Sequence, residues 1–220
     1  MTDTPALIAQ LAARAAPVKP LAAPFWRTLA WLAFAAALVG AVVMAYGPRA
    51  GLMRSIATPA GAGELLASLA TGIAAAYATF QVSVPGRSRR WLWLPLPPLL
   101  AWLGGLGWGC ASEAARIGHA AFAFEAEVRE CALAITLVSL PLASVLLVMV
   151  RHAGVVRPAA SAGLAMLAAA ALSSFGVSLF HQGDTAWMVV VWHVGAVALL
   201  SLGCLLLGRP LFAWIGYARA

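Results

Sequence analysis

The chain has 220 residues, of which 63% are apolar (AVILMFWYC) and 10% charged, with a mean hydropathy of +0.92. Soluble domains are about half apolar and about a quarter charged, so the excess here has to face lipid. A soluble globule, a disordered chain, a coiled coil and a disulfide scaffold are excluded, and the formal charge of +7 needs no nucleic-acid partner once the threading through a membrane is considered.

The chain opens on a tail, "TDTPALIAQLAARAAPVKPLAAP", in which Thr4 and Pro5 start a helix and Leu7, Ile8, Leu11 and Ala15 recur at helical spacing on one face. Gln10 and Arg14 lie opposite, and Pro17 and Pro20 end the helix before the membrane. Such a short amphipathic helix lies on a bilayer or fills a groove on a partner. The tail lacks the basic start of a signal peptide, so the first apolar stretch is read as an uncleaved span.

Each helical crossing takes about 20 mostly apolar residues, because every backbone polar group must be satisfied within the helix. Six stretches qualify, over residues 27–47, 65–85, 91–110, 131–150, 158–180 and 187–207. The third carries Pro95, Pro97 and Pro98 and is expected to enter kinked or extended. The expected fold is therefore all-α, a polytopic bundle of six transmembrane helices over 27–210, with cytoplasmic tails at 1–26 and 211–220. Phe25, Trp26, Trp91, Trp93, Trp187 and Trp214 fall near span ends, where interfacial aromatics belong. Ala36 with Gly40, Gly105 with Gly109 and Ala159 with Gly163 have the spacing of helix-packing pairs.

Cytoplasmic loops carry an excess of Lys and Arg. With the N-terminus inside, Arg14, Lys19, Arg27, Arg87, Arg89, Arg90, Arg151, Arg157, Arg209 and Arg219 are cytoplasmic, ten of the fourteen basic residues. Arg49, Arg54, Arg116 and Arg129 share the other side with Glu64, Glu113, Glu125, Glu127, Glu130 and Asp184. Both termini are then cytoplasmic.

Polar chemistry is sparse. The segment "ASEAARIGHAAFAFEAEVRE" leads into Cys131, and Glu127 and Cys131 share a helical face at i and i+4. His181 and Asp184 lie across the same boundary, and His193 sits inside the sixth span. Thiolate, imidazole and carboxylate together are ligands for thiophilic or borderline metals. Plainer roles compete: acids solvating a loop, a surface His119, a helix–helix hydrogen bond for His193, and packing for Cys110 and Cys204. Cys131 stands between packing and sensing. A faint GxSx element around Ser178, with His193 on the next helix, lacks the flanking glycine of an intramembrane serine protease.

The chain resembles the NrsF family, negative regulators of sigma factor F, over nearly its whole length. The likeness rests on "LIAQLAARAAPVKPLAAP", on "CALAITLVSLPLASVLLVMVRHAGVVRPAASAGLAM" and on "VVWHVGAVALLSLGCLLLGRPLFAW". It implies a six-helix inner-membrane anti-sigma factor, not an enzyme, that holds an extracytoplasmic-function sigma factor and releases it under stress such as metal ions. It further implies sensing through two outer-side cysteines. Cys131 matches the first, and His181 stands where the second is expected. The expected site is thus Cys131, His181, Glu127 and His193 for a transient metal signal, with no resident cofactor and no direct nucleic-acid contact. Leu7, Ile8 and Leu11 are expected to bind the partner. The competing expectation is a transporter or channel whose path Ser139, Ser144, Pro141 and His193 would line.

Overall fold

A computed structural model describes residues 3–15, 20–123, 129–181 and 186–215, and among them every regular element is a helix. These are α1 (Thr4–Arg14), α2 (Pro24–Tyr46), α3 (Leu52–Ile56), α4 (Pro59–Val82), α5 (Leu96–Ile117), α6 (Arg129–Val150), α7 (Pro158–Phe180) and α8 (Ala186–Ile215). Short 3-10 turns, Arg89–Trp93 and Gly118–Phe122, flank α5, and a π-helical turn, Val190–Val194, interrupts α8.

Proline opens most of the long helices, since its missing N–H falls among the donors a helix start leaves free and its φ is already helical. This corrects the reading of the third stretch: Pro95 caps α5 and Pro97 lies in its first turn, so the prolines start the helix and do not kink a span. The helix also runs beyond Cys110 to Ile117, where a polar loop was expected. Thr58 caps α4, its Oγ1 accepting from the Gly61 N–H at 3.1 Å.

Five helices, α2, α4, α6, α7 and α8, are long and apolar enough to cross a membrane. The 22-residue α5 has the length, but its glycines, prolines and Glu113 make it less apolar than the other five. The last helix also continues through Pro210 to Ile215, past the expected end at 207.

Helix α7 is the axis of the bundle. It is dominated by Ala, Gly and Ser, most of its residues are buried, and it packs against α2, α4, α6 and α8. Lipid is as apolar as leucine, so close packing and interhelical hydrogen bonds hold these helices together. Small residues set the approach: an added Cβ at Gly72 would lie 2.6 Å from Leu172 Cγ, and one at Gly176 would lie 2.6 Å from Val39 Cγ1. The Ala159 and Gly163 pair does face α8, because Gly208 abuts Ala159 and Gly163 abuts Leu205. Gly40 and Gly105 depart from the expectation, since an added Cβ at either meets no atom within 4 Å; they border a groove and a cavity. Trp31 ties α2 to α6, its Nε1 donating to the Leu142 carbonyl at 3.0 Å.

The antiparallel threading sorts the charges. At one end, Arg27 at the start of α2 donates through Nη2 to the Met149 carbonyl and stacks over Phe80 at 4.7 Å, which joins α2, α6 and α4. Arg157 reaches the Arg87 carbonyl at 3.3 Å, and Arg89, Arg90, Arg151 and Arg209 fall at the same end. Glu64, Glu113 and Glu130 fall at the other. These are the basic and the acid-bearing ends of the bundle.

Candidate functional site

The acid-bearing end is held together by its loops. Helix α2 stops at Gly47, whose φ of 78° suits glycine and turns the chain toward α7. There the Arg49 N–H donates to the Leu179 carbonyl at 2.9 Å, and Tyr46 stacks on Phe180 with ring centroids 5.0 Å apart. Arg49 Nη2 donates to Ser55 Oγ at 3.0 Å, and α3 fits against α4 because position 61 is glycine: a Cβ there would lie 2.3 Å from the Ser55 carbonyl oxygen. From α5, Glu113 Oε2 accepts the Ala186 N–H at 2.8 Å, which places a carboxylate on the N-terminus of α8, where the helix dipole favours negative charge. Read in sequence as a loop-solvating acid, Glu113 instead joins two helices.

The π-helical turn of α8 carries His193. Such a turn fits one extra residue and is frequent at functional sites. His193 is buried, and its Nδ1 shares a 2.9 Å hydrogen bond with Ser174 Oγ of α7. The helix–helix bond weighed for this residue is thus present. The Ser178 hydroxyl instead donates to the Ser174 carbonyl at 3.0 Å, so the Ser178–His193 pairing of a protease is not formed.

Two cavities open at this end, and His181, just past α7, lines both. One, of about 230 Å³, holds Arg49, Glu64, Ser178, His181 and His193 against Leu65, Leu106 and Val189. The other, of about 360 Å³, is bounded by Tyr46, Glu130, Cys131, Val177, Phe180 and His181.

The expected metal-site residues divide between these cavities. Cys131 and His181 come together at the second, His181 and His193 at the first, and Glu127 lies outside the described residues. Among the described residues no three His, Cys, Asp or Glu side chains are grouped to hold a metal ion. Cys131 is 1% exposed, packed with Ile135 and Val177, where the sequence places it at an exposed outer boundary. The described cysteines form no disulfide. Glu130 joins the Cys131 cavity unannounced; its place directly before Cys131 was the available signal. The serines expected along a transport path turn back on α6, Ser139 bonding to the Ile135 carbonyl and Ser144 to the Leu140 carbonyl, with Ser139 buried and Ser144 exposed.

At the opposite end of the chain's chemistry stands α1. It buries no residue, and Leu7, Ile8 and Leu11 are 43%, 62% and 62% exposed.

The family model for NrsF, negative regulator of sigma F, matches residues 11–214. The chain belongs to the NrsF family. No curated protein and no solved structure matches it. The NrsF match begins at Leu11, within α1, and runs through all the long helices almost to the end of α8, so both cavities and the basic end lie inside it. Membership makes the chain a negative regulator of a sigma factor, and a sigma factor its partner.

Proposed function

We propose that this NrsF-family protein is an inner-membrane anti-sigma factor that retains an extracytoplasmic-function sigma factor at the basic, cytoplasmic end and releases it on a signal at the opposite, outer end. The observation that carries the reading is α1, a helix that buries no residue and leaves its apolar Leu7, Ile8 and Leu11 exposed. A helix too short to be stable alone gains its stability from a surface on which to bury that face. A groove on the sigma factor supplies it, in the helix-in-groove mode. The arginines at 87, 89, 90, 151 and 157 surround the same end and steer an acidic partner toward it.

The test is Leu11→Asp. It removes an apolar side chain worth about 1.5–3 kcal/mol on burial and adds a charge to be desolvated, so co-purification of the sigma factor from detergent should fall and its transcription should rise. Full repression by a normally inserted Leu11→Asp protein would leave α1 on the bilayer surface and pass the contact to the basic loops.

For the signal, Cys131 is the proposed sensing thiol, with His181 as second ligand and Glu127 and His193 as further ones for a soft or borderline metal ion. Cys131 lies in the first turn of α6, which ends at Val150 beside Arg151, so a ligand bound at one end acts on a helix that ends at the other. Moving a two-state equilibrium from 1:99 to 99:1 takes about 5.5 kcal/mol of differential binding, a scale metal–thiolate coordination reaches. Cys131→Ser should repress normally and lose the metal response of sigma-dependent transcription. An unchanged response would exclude the thiol.

A further inference from the structure

The cavity of about 230 Å³ holds two opposite full charges that have not collapsed onto each other. Arg49 is held back by its bonds to Leu179 and Ser55, and its Nε is buried with no acceptor. Glu64 projects from the second turn of α4 into the same space. Among the described residues the ion pair formed at this end is Arg116 with Glu113, at 3.6 Å, and Glu64 makes none. A charge inside a spanning helix is costly, and such residues face the bundle interior and mark binding sites or pathways. Here a cation and an anion line one half-open gap, between apolar walls of Leu65, Leu106 and Val189.

A lone anion would be drawn to Arg49 and repelled by Glu64, and a lone cation the reverse. A molecule carrying both charges satisfies both walls at once. We infer that this cavity binds a small zwitterion of the α-amino-acid type, its carboxylate on the Arg49 guanidinium, its ammonium group on Glu64 and its side chain against Leu65, Leu106 and Val189. The volume corresponds to on the order of seven waters, room enough for a small amino acid. Ser178 and His193 supply further polar contacts, and because His193 sits on the π-helical turn, an occupant of the cavity touches the irregular part of α8 directly. The inference stands apart from the sigma-factor reading, because binding is read on the membrane protein alone.

The experiment is calorimetric titration of the full-length protein, in detergent or nanodiscs, with glycine, alanine and serine, and with acetate and methylamine as one-ended controls. At least one amino acid should bind, and neither control should bind at the same concentration. Arg49→Gln and Glu64→Gln should each weaken binding by about tenfold or more. Gly105 lines the cavity and an added Cβ there meets nothing within 4 Å, so Gly105→Leu should fill the space, keep the thermal stability of the protein and abolish binding. No heat from any of the amino acids overturns the proposal. So does acetate binding as tightly as the best of them, which would make this an anion site, and so does wild-type binding by a folded Gly105→Leu protein.

Discussion

At the basic end of the bundle, an added Cβ on Gly208 would lie 2.5 Å from Ala159 Cα and 2.8 Å from the Pro158 carbonyl oxygen, backbone against backbone. At the acid-bearing end, Gly105 borders open space. Both are helical glycines in one chain, and they do opposite things. The first lets α7 and α8 touch where the arginines gather; the second leaves room beside Arg49, Glu64 and His193. The contrast extends to polar groups: Arg27 is used to join three helices, whereas Arg49 lines a cavity. The closed end suits a platform for a partner, and the end with cavities is where a small ligand has somewhere to go.

The contrast is broken most severely by Gly208→Ala. Overpacking costs about 1–3 kcal/mol where side chains can shift, and here the contact is with backbone, so a loss of about 3 kcal/mol or failure to fold is expected in reversible denaturation from detergent. A variant as stable as wild type would mean that α7 and α8 are not this close. Ser174→Ala acts at the open end and leaves the buried His193 Nδ1 without its partner. Interhelical hydrogen bonds in membrane proteins average about 0.6 kcal/mol and reach about 1.7; a loss near 1 kcal/mol is expected, with a changed ring-nitrogen NMR signal for His193. If stability falls but the ring signal is unmoved, the bond is not the cause. Smallest of all is Gly105→Ala, which removes a poor helix former without a clash and should leave the denaturation midpoint unchanged or raise stability by up to about 1 kcal/mol. A drop larger than that of Ser174→Ala would show the wall of the cavity to be packed.

Sequence by itself determined the class of the protein and most of its helices. Lipid exposure imposes a compositional excess and a minimum length that no packing detail can disguise, so the stretches around Ala35, Ala75, Leu146, Ala169 and Leu200 are legible by counting. The start of α7 at Pro158 was equally legible, because proline constrains its own φ whatever surrounds it, whereas α2 and α4 begin at Pro24 and Pro59, ahead of the expected 27 and 65. The amphipathic face of α1 and the clustering of arginines at one end followed from periodicity and loop order. The family resemblance, carried by three long segments, agrees with the model match over 11–214.

Tertiary structure decided what depends on which faces meet. Periodicity gives no azimuth in α7, where Ala, Ser and Gly occur all round, so only packing reveals it as the axis. Spacing alone made Gly105 and Gly109 look like an interface, and the sequence left Cys131 between packing and sensing, yet the neighbours of each residue leave Gly105 open and Cys131 buried. The encounter of Arg49, just past α2, with Glu64 of α4, and of Ser174 with His193, nineteen residues apart on separate helices, was equally out of reach. Side chains from separate helices meet according to rotation and tilt, which are set by the sum of many small contacts and leave no local mark on the chain.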